Sequence, residues 1–247
     1  MVAPAQLSEK EPVVTPHQVW EARTRIVLSP VAPPSILGLY GFMGATLMVG
    51  AWQAGWYGDV TTPIVVFPFA MVFGGIAQFA AGLFSYRARD GLGTAVHGTW
   101  GSFWIAFGIF WLLVATHVIT AKPLGAPQPN FAMWFVVLTL VTTAAALAAL
   151  AVNLGQAQVL LFLAAGSGVT AAGFWGGSLW LLHAGGWLFV ISAALAWYAA
   201  TALMLYGTFK RVILPLGALK LSANIPGGQP FDPVAYPEGM PGSRVGQ

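Results

Sequence analysis

The sequence contains no cysteine, which excludes disulfides, thiolate metal centres and iron–sulfur clusters but leaves the compartment open. Charge is almost as scarce: 7% of the 247 residues are Asp, Glu, Lys or Arg, against about 25% in an ordinary soluble domain. A chain that is 57% hydrophobic has too little polar surface to stay dissolved as a monomer, and lipid is the solvent that suits it. Catalytic signatures are missing too, with no nucleophile elbow, P-loop, HExxH or paired catalytic carboxylates, so no enzyme is expected. The formal charge of +3 carries no Arg/Lys stripe with interleaved aromatics, so no nucleic-acid partner is expected. The first apolar stretch follows a mixed-charge, Pro-containing segment, unlike a cleaved signal peptide.

The few charges are segregated. Between Arg25 and Lys210 only Asp59, Arg87, Arg89, Asp90 and Lys122 occur. A membrane-crossing helix needs about 20 predominantly apolar residues, and irregular backbone cannot face lipid, so these charges mark loops. They divide the chain into spans at about Ile36–Trp56, Thr61–Phe84, Gly93–Thr116, Phe131–Val152, Ala157–Trp175 and His183–Phe209, the later breaks falling at Asn153-Leu154-Gly155 and Gly176-Gly177-Ser178. Thr61-Thr62-Pro63 reads as a helix start, and Pro68 is expected to bend the second span. The fold class is therefore an all-α membrane protein with six transmembrane helices. Residues 1–32 are expected to form a flexible tail with a short surface helix around His17–Ile26, residues 33–213 the transport domain, and residues 214–247 a second tail. Arg23, Arg25, Arg87, Arg89, Lys210, Arg211 and Lys220 fall on one side of this arrangement and Lys122 alone on the other, which places both termini in the cytoplasm. Small residues recur at helical spacing in Gly74–Gly82 and Ala164–Gly168, as close helix packing in lipid requires.

No Asp, Glu, Lys or Arg lies within a span, which argues against a pump built on a buried carboxylate. Solutes would meet backbone dipoles, amides, hydroxyls, indoles and imidazoles instead. Gln78, His97, Thr99, Ser102 and His183 are the candidates for a pore lining or a proton-sensitive gate, beside Ser85, Asn153, Ser167, Tyr40, Trp100 and Tyr198. Paired imidazoles could ligate haem, but His117 ends the third span at the interface opposite His97 and His183 starts the sixth, so no cofactor and no metal is expected.

Four separated motifs stand in order: Gly74-Gly75-Ile76-Ala77-Gln78 with Ala81-Gly82-Leu83 and Tyr86, then Gly101-Ser102-Phe103-Trp104, then His183-Ala184-Gly185-Gly186-Trp187, and finally Leu214-Pro215-Leu216-Gly217. In that order and spacing they resemble the acetate uptake transporter family, over about Pro33 to Gly217. The resemblance implies six helices per protomer, a ring-shaped hexamer with one solute path in each subunit, a plasma-membrane location, and uptake of acetate and similar small carboxylates, often linked to protons. The family's signature at the opening of the first span is represented here by Pro33-Pro34-Ser35-Ile36-Leu37-Gly38-Leu39, which keeps Pro34, Leu37, Gly38 and Leu39 as the substrate-mouth residues and lacks the signature's asparagine. The family's narrowing ring of Phe, Tyr and Leu maps onto Phe42, Trp100 and Ser167, which implies a constriction of different shape and altered selectivity. Three functions follow: a passage for acetate or another short monocarboxylate, succinate included; a channel for a neutral solute such as urea or an amide; or an accessory membrane subunit that does not transport.

Overall fold

Six stretches long and apolar enough to cross a membrane each form a helix in the structure, a computed structural model that describes residues 32–217. The expectations for the two tails beyond that range, including the helix around His17–Ile26, lie outside the described residues. The helices are α1 (Ser35–Gln53), α2 (Thr62–Arg87), α3 (Gly91–Ala115), α4 (Pro129–Ala149), α5 (Leu154–Gly176) and α6 (Leu179–Phe209). Together they are the all-helical, six-span architecture that charge spacing and the turn-like breaks at Asn153–Gly155 and Gly176–Ser178 implied.

Local chemistry sets the boundaries. Asp90 Oδ1 accepts the Gly93 N–H at 2.8 Å and starts α3, while Asn153 Oδ1 accepts the Gln156 N–H at 2.8 Å and starts α5. Gly177 takes a left-handed φ of 65° to end α5, and Ser178 then caps α6 through the Leu181 N–H at 3.4 Å. The connectors, tight at 88–90, 150–153 and 177–178 and longer at 54–61 and 116–128, return each helix across the bundle in an up-and-down course. Arg87, Arg89, Lys210 and Arg211 thereby share one face of the bundle, and Asp59 and Lys122 lie at the other.

Within α2 the backbone changes character. Thr62–Phe69 and Gln78–Arg87 are α-helical, but Ala70–Ala77 is π-helical. Pro68, expected to bend this helix, stands two residues ahead of the widened stretch. It has no N–H to offer the Ile64 carbonyl, so the regular ladder is already interrupted there.

Lipid supplies little hydrophobic force between helices, so close backbone approach must hold them together. The α2–α3 seam shows how. A Cβ on Gly101 would lie 2.6 Å from the Phe79 nitrogen, and one on Gly82 would lie 2.7 Å from the Gly98 nitrogen. Large apolar side chains such as Val65, Leu140 and Trp180 are left exposed on the outside of this single chain, where acyl chains would cover them. After α6 the chain folds back: the Leu216 and Gly217 carbonyls accept the Gly155 and Leu154 N–H groups at 2.9 and 3.0 Å, and Tyr198 donates to the Pro215 carbonyl at 2.8 Å. The Leu214–Gly217 motif thus satisfies two otherwise unpaired donors at the start of α5.

Candidate solute path

Two cavities lie end to end in the bundle. The larger, about 740 Å³, reaches the α1–α2 and α3–α4 connectors, where Asp59, His117 and Lys122 line its mouth. Its walls are aromatic, with Phe103, Trp104, Phe107, Trp111, Phe131 and Phe135 among them, and Thr46, Gln53 and Trp100 also line it. The smaller, about 30 Å³, lies towards the basic face and is lined by Leu39, Phe42, Gln78, His97 and Leu163, with Asp90 at the α3 start.

Phe42 belongs to the small pocket and Trp100 to the large cavity, and their rings meet edge to face with centroids 5.9 Å apart. The pair thus brings the linings of the two spaces into contact. Trp100 is held on its far side, because its Nε1 donates to Thr142 Oγ1 of α4 at 3.0 Å and its ring stacks edge-on against Phe103 at 5.3 Å. The indole is thus fixed by α4 as well as by Phe103 of its own helix.

Polar groups along the path divide into those already paired and those left without a protein partner. Gln53 Nε2 donates to the Leu182 carbonyl at 2.8 Å and to Thr170 Oγ1 at 2.9 Å, joining α1 to α5 and α6 beside the large cavity. Thr46 Oγ1, Trp104 Nε1 and Trp111 Nε1, all on residues of that cavity, have no partner among the described residues, nor do Gln78 Nε2, Gln78 Oε1 and His97 Nδ1 around the small pocket. Leaving such atoms buried and unpaired costs about 1–3 kcal/mol each. At the mouth, the Thr61 hydroxyl and the Thr61 backbone N–H hold the Asp59 carboxyl below the usual carboxylate range, with hydrogen bonds of 2.7 and 2.8 Å.

The structure gathers some of the residues singled out from sequence and separates others. The Phe42 and Trp100 rings meet, and Leu39, Gln78 and His97 surround the small pocket. Gly38 lies beneath the His97 ring, where the lack of a Cβ lets the imidazole rest on α1. Pro34 is buried and its carbonyl accepts the Gly38 N–H at 3.1 Å, whereas Leu37 is exposed. Ser167 is fully buried, donates to the Leu163 carbonyl of its own helix at 2.8 Å, and lines neither cavity; Leu163, one turn away, lines the small pocket. Ser102 is exposed and donates to the Gly98 carbonyl at 2.7 Å, Thr99 and His183 line neither cavity, and Tyr40 shares a hydrogen bond of 2.9 Å with Thr201. Thr46, Gln53 and Thr142 were missed. A lone amide in an apolar span was the signal that selected Gln78, and it applied equally to Gln53. Among the described residues no three His, Asp or Glu side chains gather as a metal site would need.

A model of the GPR1/FUN34/yaaH family matches residues 22–219. The chain belongs to this family. A member from Escherichia coli strain K12, the succinate-acetate/proton symporter SatP, is 30% identical over 191 residues, covering 76% of this chain and 96% of its own. From Saccharomyces cerevisiae, ammonia transport outward protein 2 is 28% identical over 176 residues, covering 69% of this chain and 61% of its own. Among solved structures, that of the bacterial acetate channel SatP superposes with a TM-score of 0.68 at 26% identity, over 76% of this chain and 99% of the other. The motif resemblance read from the sequence is thereby borne out. These relatives are transporters or channels.

Proposed function

We propose that this chain forms a passage across the membrane for acetate or a similar short-chain monocarboxylate, with succinate in the same class. The observation that carries the reading is the pair of cavities meeting at Phe42 and Trp100 within one six-helix protomer, in a chain belonging to a family whose relatives move acetate. A wide aromatic chamber suits the methyl end of a small carboxylate, and the unpaired hydroxyl and indole N–H groups beside it suit its oxygens. No ionisable carboxylate lies within the spans, so any proton linkage is carried by the acid rather than by a titrating Asp or Glu of the protein. The basic face, with Arg87, Arg89 and Lys210, is assigned to the cytoplasm by the excess of Lys and Arg there. Assembly as a plasma-membrane hexamer is what the family resemblance supports.

A carboxyl with a pKa of about 4 to 5 is mostly ionised at neutral pH. Uptake should therefore rise as the outside becomes acidic. The uncharged deep path also favours a second reading, a neutral amide or urea channel. Uptake of labelled acetate and labelled urea into proteoliposomes, with an inward pH gradient and protein-free vesicles to correct for leakage, separates the two. Protein-dependent acetate flux that grows with acidity is expected. Rapid urea entry without acetate flux would overturn the proposal in favour of the neutral channel, and no flux of either would leave an accessory subunit.

A further inference from the structure

Gln78 is the first residue after the π-helical stretch of α2 and is fully buried, yet neither end of its carboxamide has a partner among the described residues. His97 of α3 is 2% exposed and its Nδ1 is likewise unpaired. Both line the small pocket on the basic side of the Phe42–Trp100 pair. Three unsatisfied polar atoms from two helices beside one pocket favour an occupant that, once the pocket widens, bonds to them and removes a desolvation penalty already present.

The inventory of donors and acceptors selects the occupant. A carboxamide offers a donor at Nε2 and an acceptor at Oε1 side by side, and the Nδ1–H tautomer of imidazole adds a second donor. A carboxylic acid group matches all three: its carbonyl oxygen accepts from Nε2 and Nδ1, and its O–H donates to Oε1. A carboxylate satisfies the two donors but sets a negative oxygen against Oε1 with no proton between them. Charge points the same way. Asp90 of the α3 start is the other titratable side chain lining the pocket; α1 and α5 contribute Ser35 and Gln156 as polar groups, and no Lys or Arg lines it. A substrate anion would meet no Lys or Arg in this lining.

We propose that Gln78 and His97 form a site that receives the substrate as its uncharged acid, the Gln78 carboxamide closing a two-bond ring with the –COOH group and His97 Nδ1 donating to the same carbonyl. The site deepens the monocarboxylate reading and rests on it. No proton is exchanged with the protein: the acid is protonated in water on one side, crosses intact and ionises on the other. A pocket of about 30 Å³ holds roughly one water, so admitting acetic acid requires it to widen. Phe42, which lines the pocket and forms half of the constriction, is the side chain whose displacement does so.

The test uses the full chain in proteoliposomes with carbon-13-labelled acetate. Isotope-edited infrared spectra distinguish the carbonyl stretch of a protonated acid from the paired stretches of a carboxylate. A protein-bound protonated band is expected at a pH above the acid's solution pKa, lost in Gln78→Met and weakened in His97→Phe. Gln78→Met is expected to lower protein-dependent acetate uptake roughly tenfold, the equivalent of one to two net hydrogen bonds. Acetamide, which presents the same carbonyl beside an N–H and carries no charge, should inhibit wild-type uptake at every pH and lose that effect in Gln78→Met. Bound acetate showing carboxylate bands alone, or full uptake and acetamide inhibition in Gln78→Met, would overturn the site while leaving transport intact. Absence of protein-dependent acetate uptake in the wild type would overturn the transport reading and the site with it.

Discussion

Gly38→Ala is a small change that the structure expects to act on the path. A Cβ built on Gly38 falls 2.5–2.6 Å from three atoms of the His97 ring, where non-bonded carbon atoms ordinarily sit about 3.5–4.0 Å apart. The imidazole must therefore retreat by about 1 Å, since α1 and α3 are both held by their own backbone hydrogen bonds. Overpacking of this kind costs about 1–3 kcal/mol, and the better helix propensity of alanine returns about 0.5–1 kcal/mol. The net expectation is a destabilisation of about 0–2.5 kcal/mol, centred near 1 kcal/mol. His97 also leaves its place at the small pocket, so acetate uptake should fall. Gly98→Ala is the matched control, one residue from His97 on the same helix, with nothing within 4 Å of its Cβ position. It should be neutral or slightly stabilising. Thermal unfolding of the purified protein, followed by tryptophan fluorescence, and initial uptake rates read the two effects. The double variant Gly38→Ala with His97→Ala should recover most of the lost stability, as expected of a contact between two neighbours. If Gly38→Ala is as stable as Gly98→Ala and transports like the wild type, the placement of His97 against α1 is wrong.

Three further outcomes follow from particular contacts. Phe42→Ala removes half of the constriction and its edge-to-face contact, worth about 0.5–1.5 kcal/mol; it should speed acetate entry several-fold and admit longer monocarboxylates such as butyrate, read by labelled uptake, while lowering the unfolding temperature. Asn153→Ala deletes the cap on the Gln156 N–H at the start of α5 and should cost about 1 kcal/mol in thermal unfolding without changing substrate preference. Asp59 has a lowered folded-state pKa, so its contribution to the α1–α2 connector is present above the unfolded pKa and is lost as the pH falls through the folded one; carbon-13 NMR should find it ionised at mildly acidic pH, and Thr61→Ala should raise its pKa towards the usual carboxylate value.

Charge spacing was enough to read the first three spans and the start of the fourth, because an ionised side chain in lipid is so unfavourable that Asp59, Arg87, Asp90 and Lys122 had to stand at the ends of helices or in connectors. Asn153 and Gly177-Ser178 were legible as breaks for a different reason: capping and a left-handed backbone are local chemistry that needs no tertiary context. The interior was harder. In a soluble helix the apolar stripe tells which face turns inward, whereas in lipid both faces are apolar and the sequence period carries little of that information. Ser167 and Gln53 illustrate the result. Ser167, one of the candidates for a pore lining, spends its hydrogen bond on its own helix, while Gln53, which was not a candidate, ties three helices together beside the large cavity. The π-helical stretch of α2 was equally hidden, since Pro68 announces a disturbance in the ladder without stating whether the helix bends or widens. Pairing Gln78 with His97 required the actual packing of α2 on α3, which follows from the glycine seam at Gly82 and Gly101.

The chain's lack of cysteine makes the central claim directly testable, because a single introduced thiol is the only one present. Val49 lines the large cavity on the side of Asp59 and Lys122. In proteoliposomes carrying Val49→Cys, a membrane-impermeant thiol reagent applied to that side should block protein-dependent acetate uptake, and excess acetate should slow the modification. Complete modification of Val49→Cys with acetate uptake unchanged would contradict a solute path through this cavity.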